Sequence, residues 1–122
     1  VYDPQADRWQ QMASMPQGLY RHAAAAMGGK IYVTGGVIQG IRQSSVYVYD
    51  PQANAWTQLA SMGTARRNHA SAAVGGKLYV FGGFGGTNGR LSTVEVYDPA
   101  SGSWAQVTEL GLRREYLVAV AL

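Results

Sequence analysis

The chain has 122 residues, 47% hydrophobic and only 14% charged, a globular composition with the length of one small domain. A formal net charge of +3 is too mild for a nucleic-acid binder, and the lack of cysteine excludes a disulfide scaffold, a cysteine-ligated zinc site and a thiol nucleophile. The apolar runs are broken by Gly or Lys and are too short for membrane helices, while sixteen glycines, about twice the usual ~7% share, point to tight turns.

In chain order, residues 1–12 read as the end of one strand, a turn at Asp3-Pro4 and a further strand carrying Trp9. His22 to Met27 is a run of small and apolar residues, and Lys30 to Thr34 is β-branched and aromatic. Gly28-Gly29 between them is the chemistry of a two-residue hairpin, whose central residues both need positive φ. Gly35-Gly36 then ends the second strand and opens a long loop, VIQGIRQSS (37–45). A third strand follows in SSVYVYD, Asp50-Pro51 supplies a turn, and AWTQLA forms a fourth strand with Trp56. The same order returns with Gly75-Gly76, Gly82-Gly83, STVEVYD and Trp104, and residues 117–122 read as one more first strand.

The chain therefore repeats. Tyr-Asp-Pro begins at Tyr2, Tyr49 and Tyr97, spacings of 47 and 48, and the three tryptophans, Trp9, Trp56 and Trp104, keep the same two spacings. YDPQADRWQQMASM and YDPQANAWTQLASM agree at ten of fourteen positions. The third strand is apolar on both alternating faces, Val46 and Val48 against Tyr47 and Tyr49, so it must be covered on both sides. One four-stranded sheet cannot do that, but stacked sheets can. The alanine-rich first strand, Ala23 to Ala26, suits a crowded axis.

Paired glycines closing the second strand (Gly35, Gly36; Gly82, Gly83), a tyrosine in the third (Tyr49; Tyr97) and a tryptophan seven residues later (Trp56; Trp104) resemble Kelch repeats over essentially the whole chain. The Gly-His and Trp-Asp signatures of the WD-type blade are absent. The resemblance implies an all-β, Kelch-type β-propeller fragment with two complete four-stranded blades and partial blades at each end. The expected division is a partial blade at 1–16, complete blades at 17–62 and 63–109, and an inner strand of a following blade at 110–122. Propellers usually have four to eight blades. The remaining blades are expected from the same longer chain or from other copies.

Antiparallel connectivity sends the links between strands two and three, and those from strand four to the next first strand, to one face. Residues 15–22, 37–45, 62–69, 84–92 and 110–116 are the loops expected there. They carry seven of the ten basic residues, all arginine: Arg21, Arg42, Arg66, Arg67, Arg90, Arg113 and Arg114, against Glu115 within them and Glu109 at their edge. With Asn68 they form the expected partner-binding set, because the guanidinium fork suits carboxylates and phosphates. The competing reading is that an arginine at such a position bonds neighbouring loops together.

No catalytic or metal site is expected. His22 and His69 recur at one repeat position, but the third repeat has Tyr116 or Leu117 there. Asp3, Asp50 and Asp98 precede proline and read as turn formers. The tryptophans read as packing between repeats. Glu109 and Glu115 show no matched acid and base, and FGGFGGTNG lacks the Gly-Lys-Ser/Thr of a phosphate loop.

The expectation is a non-enzymatic interaction module for a protein or acidic peptide, without cofactor, nucleic acid or membrane. Kelch domains similar to this one serve in ubiquitin-ligase adaptors and actin-associated scaffolds. The alternative is part of a carbohydrate-active enzyme. Galactose-oxidase-like proteins need a cysteine that this stretch lacks. A sialic-acid mutarotase-like ring would use arginines for the sugar carboxylate, although no motif transfers residue by residue. The compartment stays open.

Overall fold

A computed structural model describes residues 2–15, 18–85 and 89–114, with the side chains of residue 3 and of 108–114 outside that description. The described residues are all-β, in antiparallel sheets, with no helix. The opening pair, β1 (Tyr2–Asp3) and β2 (Arg8–Trp9), forms a short ladder. One four-stranded sheet contains β3 (Ala23–Met27), β4 (Lys30–Thr34), β7 (Val46–Asp50) and β8 (Ala55–Leu59), in that spatial order. A second contains β9 (Ala70–Val74), β10 (Lys77–Phe81), β11 (Leu91–Asp98) and β12 (Ser103–Arg114). Between β4 and β7 the loop folds a small hairpin, β5 (Val37–Ile38) with β6 (Ile41–Arg42). This hairpin was not expected; Gln39 and Gly40, both at positive φ, turn it.

The glycine pairs do two different jobs. Gly28 and Gly29 sit at φ 58° and 76°, and Gly75 and Gly76 at 59° and 76°, joining β3 to β4 and β9 to β10. Gly36 and Gly83 also have positive φ, but the space around them is the stronger constraint. A Cβ at Gly36 would lie 2.7 Å from the Tyr20 carbonyl oxygen, and one at Gly83 would lie 2.7 Å from that of Arg67. The second pair thus lets one loop's backbone touch the next.

The turns between strands three and four are set by side chains. The Asp50 carboxylate accepts from the backbone N–H of Gln52 at 3.0 Å, and Asp98 accepts from Ala100 at 2.9 Å. Both aspartates are turn formers, as expected. Each turn then passes through one residue at positive φ: Asp7, Asn54 and Gly102 in the three repeats.

The core lies between the sheets. Tyr32 and Val48 from the first pack with Leu78 and Tyr97 from the second, beside Met27, Leu59 and Trp104. A smaller cluster joins Val46, Met62 and Val80. Leu78, Val46 and Val80 are fully buried, each contributing about 1.5–3 kcal/mol relative to exposure. Val46, Tyr47, Val48 and Tyr49 are all buried, so β7 is covered on both faces. The alanine-rich β3 and β9 lie against each other, where small side chains permit close approach.

Tryptophan ties repeat to repeat. The Trp56 indole N–H donates to the Ala13 carbonyl at 2.9 Å, and Trp104 donates to Ala60 at 2.8 Å. Each ring also packs at a tilt on its own repeat's tyrosine, Tyr49 at 5.1 Å and Tyr97 at 5.3 Å between centroids. Trp9 is 78% exposed.

One boundary differs from expectation. Residues 110–114, read from the sequence as a loop, continue β12, where Arg114 pairs with Leu91. Leu110 and Leu112 stand in strand alternation. Register shifts between Leu91 and Thr93 and between Val94 and Glu95 absorb the extra length. Residues 117–122, expected as a further inner strand, lie outside the described residues.

Candidate functional site

The loops after β4, β8 and β10 meet. Gly36 N–H donates to Arg66 O at 2.8 Å, Arg66 N–H to Gln43 O at 3.1 Å, and Met62 N–H to Ser44 O at 2.9 Å. Tyr20 and Val37 exchange backbone bonds, as do Arg67 and Phe84 one repeat later. Asn68 N–H donates to Arg21 O at 3.0 Å, joining the two repeats directly. The loop surface is therefore a woven backbone platform, and its side chains have fixed starting points.

The expected arginines divide on this platform. Arg66 is fully buried. Its Nη1 donates to Gly82 O at 2.8 Å, and its Nη2 donates to Thr93 Oγ1 at 3.1 Å and to Glu95 Oε2 at 2.7 Å. Glu95 in turn accepts the Gly63 N–H at 2.6 Å. Desolvation lowers the Arg66 pKa and the neighbouring Glu95 charge opposes that shift. Arg66 is thus withdrawn from the partner-facing set: it closes a loop over its own sheet, and no surface is left for a partner to meet.

Arg42 and Arg67 are different. Both guanidinium groups lie on the ring of Phe84, with Cζ 5.5 Å and 4.3 Å from its centroid. Arg42 comes from β6 and Arg67 from the loop before β9, so two elements converge on one aromatic seat. Arg21 is exposed at φ 58°, its guanidinium 5.8 Å from the Tyr20 ring. Among the described residues, neither Arg21, Arg42 nor Arg67 pairs with a carboxylate. Asn68 Nδ2 and Arg42 Nε are buried without a hydrogen-bond partner. Arg90 is exposed and pairs through its backbone with Phe84. Arg113 and Arg114 end β12, and their side chains lie outside the described residues.

Phe84 and Glu95 carry much of this arrangement, and neither belonged to the expected set. Glu95 had a sequence signal: it stands at the repeat position of Tyr47, and Arg66 at that of Leu19, so a tyrosine and a leucine become an ion pair.

The two histidines separate as well. His69 Nε2 hydrogen-bonds Thr34 Oγ1 at 2.8 Å across the seam between the sheets. Burial, and then the Arg66 charge, pushes its pKa down to about 3. His22 is exposed. No group of three metal-ligating side chains occurs among the described residues.

Residues 1–115 match the family model of the KLHDC2/KLHL20/DRC7 Kelch-repeats domain. The chain belongs to the Kelch-repeat family. No curated protein matches it. Kelch domains generally mediate protein–protein interaction, which makes protein binding the usual role for a chain of this family.

Proposed function

We propose that this Kelch chain is a propeller segment whose loop face binds an acidic peptide or protein, with Arg21, Arg42, Arg67, Asn68 and Arg90 as contacts. Arg113 and Arg114 complete the proposed set. The observation that carries the reading is the pair of guanidinium groups held on the Phe84 ring without a carboxylate partner. Stacking on the ring orients each planar fork while leaving N–H donors for a carboxylate. Prior ordering of the two side chains lowers the entropy lost on binding.

The propeller arrangement is part of the proposal. In the first sheet the face bearing Tyr32 and Val48 is covered by the second sheet. The corresponding face of the second sheet carries Val74, Tyr79, Phe81, Val94 and Val107 around a cavity of about 290 Å3, with Val74 and Val107 more than half exposed. A further blade would cover it as the second sheet covers the first. The blade divisions at 17–62 and 63–109 belong to this same reading.

Titration of an acidic peptide against the chain and an Arg42→Ala/Arg67→Ala variant tests the site. Each lost charge-assisted bond is worth roughly 1.5–3 kcal/mol, so the double variant should bind at least about tenfold more weakly at unchanged melting temperature. Lys30→Ala and Lys77→Ala, in the strands after the glycine hairpins, should leave affinity alone. Equal affinity of the arginine variant would end the proposal. Saturable binding of an acidic sugar in place of the peptide would favour the carbohydrate enzyme.

A further inference from the structure

A groove of about 440 Å3 lies at the seam of the two sheets, away from the Arg42–Phe84–Arg67 cluster. One wall is the loop after β8, with Ala60, Ser61, Gly63 and Thr64, and the other is the start of β12 around Trp104 and Gln106. Glu95 lines it at 5% exposure. Its carboxylate is held from behind by the Gly63 N–H and by Arg66, each taking one oxygen. A carboxylate oxygen accepts more than one hydrogen bond, so both retain acceptor capacity toward the groove. Because Arg66 already neutralises the charge, a cation gains little here, and a neutral donor is the better match.

The chain's own repeat indicates the shape of the guest. At the position of Glu95 the preceding repeat has Tyr47, buried at 7%, and each residue faces a glutamine across the ladder, Gln58 or Gln106. Where the preceding repeat carries an aromatic ring on this strand, the groove carries a carboxylate acceptor. The walls are small residues plus one indole, the lining that suits a flat aromatic group.

We propose that this groove is a second binding site, which takes the phenol side chain of a tyrosine from a protein partner. The ring lies against Trp104, and its O–H donates to the Glu95 carboxylate. The site is separate from the arginine face and does not depend on it.

Nuclear magnetic resonance of the 15N-labelled chain tests this, with N-acetyl-tyrosinamide as probe and the indole N–H signals as readout. The Trp104 signal should shift saturably while Trp56 stays still. N-acetyl-phenylalaninamide, which lacks the donor, should bind roughly tenfold more weakly or worse. Gln106→Phe fills the groove from the exposed strand position opposite Glu95 while keeping both Arg66 and Glu95 in place, and should abolish the shift at unchanged melting temperature. Arg42→Ala/Arg67→Ala should leave the shift intact, which separates this site from the arginine face. A motionless Trp104 signal, equal binding of the phenylalanine probe, tighter binding of N-acetyl-argininamide, or an unaltered titration in Gln106→Phe would each overturn the proposal.

Discussion

Removing Arg66 leaves Glu95 buried with its charge and one remaining donor, the N–H of Gly63. Loss of one partner from a buried ion pair typically costs about 3–5 kcal/mol, whereas exchanging both for apolar residues is far milder. The chain supplies the apolar version itself, Leu19 and Tyr47. Arg66→Leu and Glu95→Tyr should therefore each lower stability by about that amount, and the double variant should lose less than either alone. Denaturant unfolding of the four proteins measures the coupling. His69 sits beside the pair and responds to acid. Its folded pKa of about 3 lies below the ordinary 6.5, so the unfolded chain binds a proton that the fold refuses. This contribution to stability is complete above pH 6.5 and is lost as pH falls toward about 3. Thermal melts across that range should show a flatter acid limb for His69→Gln than for the parent chain.

At the scale of elements, the seams between loops rest on glycine. Gly83 has φ 91°, and a Cβ there would come within 2.6 Å of the His69 Cβ and 2.7 Å of the Arg67 carbonyl oxygen. Gly83→Ala should cost ~1–3 kcal/mol from backbone conformation alone, with the clash added, and should weaken the Arg67–Phe84 bridge that seats the arginines. A drop in melting temperature together with weaker binding of the acidic peptide would show both effects. Those glycines were legible in the sequence because positive φ and close backbone approach leave few other residues. The Tyr–Trp pairs and Asp turns were legible for a similar reason, since each carries its geometry locally. The Arg66–Glu95 pair was not, because its partners come from different elements and only folding brings them together. Charge on a loop says nothing about burial, so Arg66 and Arg67, adjacent in sequence, could not be sorted before the loop path was known. The extension of β12 was missed because Gly111 and two arginines read as a loop, although the alternation of Leu110 and Leu112 pointed the other way.

Across the whole molecule, the two four-stranded sheets keep their facing apolar sides from water by lying against each other. Tyr32, Val48, Leu78 and Tyr97 form one cluster from two sheets, and the Trp104 indole and His69 imidazole cross the same seam. Stability in such an architecture resides largely in the interfaces between neighbours. The two sheets should then open together. Native-state hydrogen exchange of the parent chain and of Leu78→Ala, a truncation in β10 expected to cost about 2–5 kcal/mol, tests this most directly. Coupled sheets predict that backbone amides of β4 and β7 lose protection alongside those of β10 and β11. Loss confined to the second sheet, with β4 and β7 as protected as before, would contradict the account.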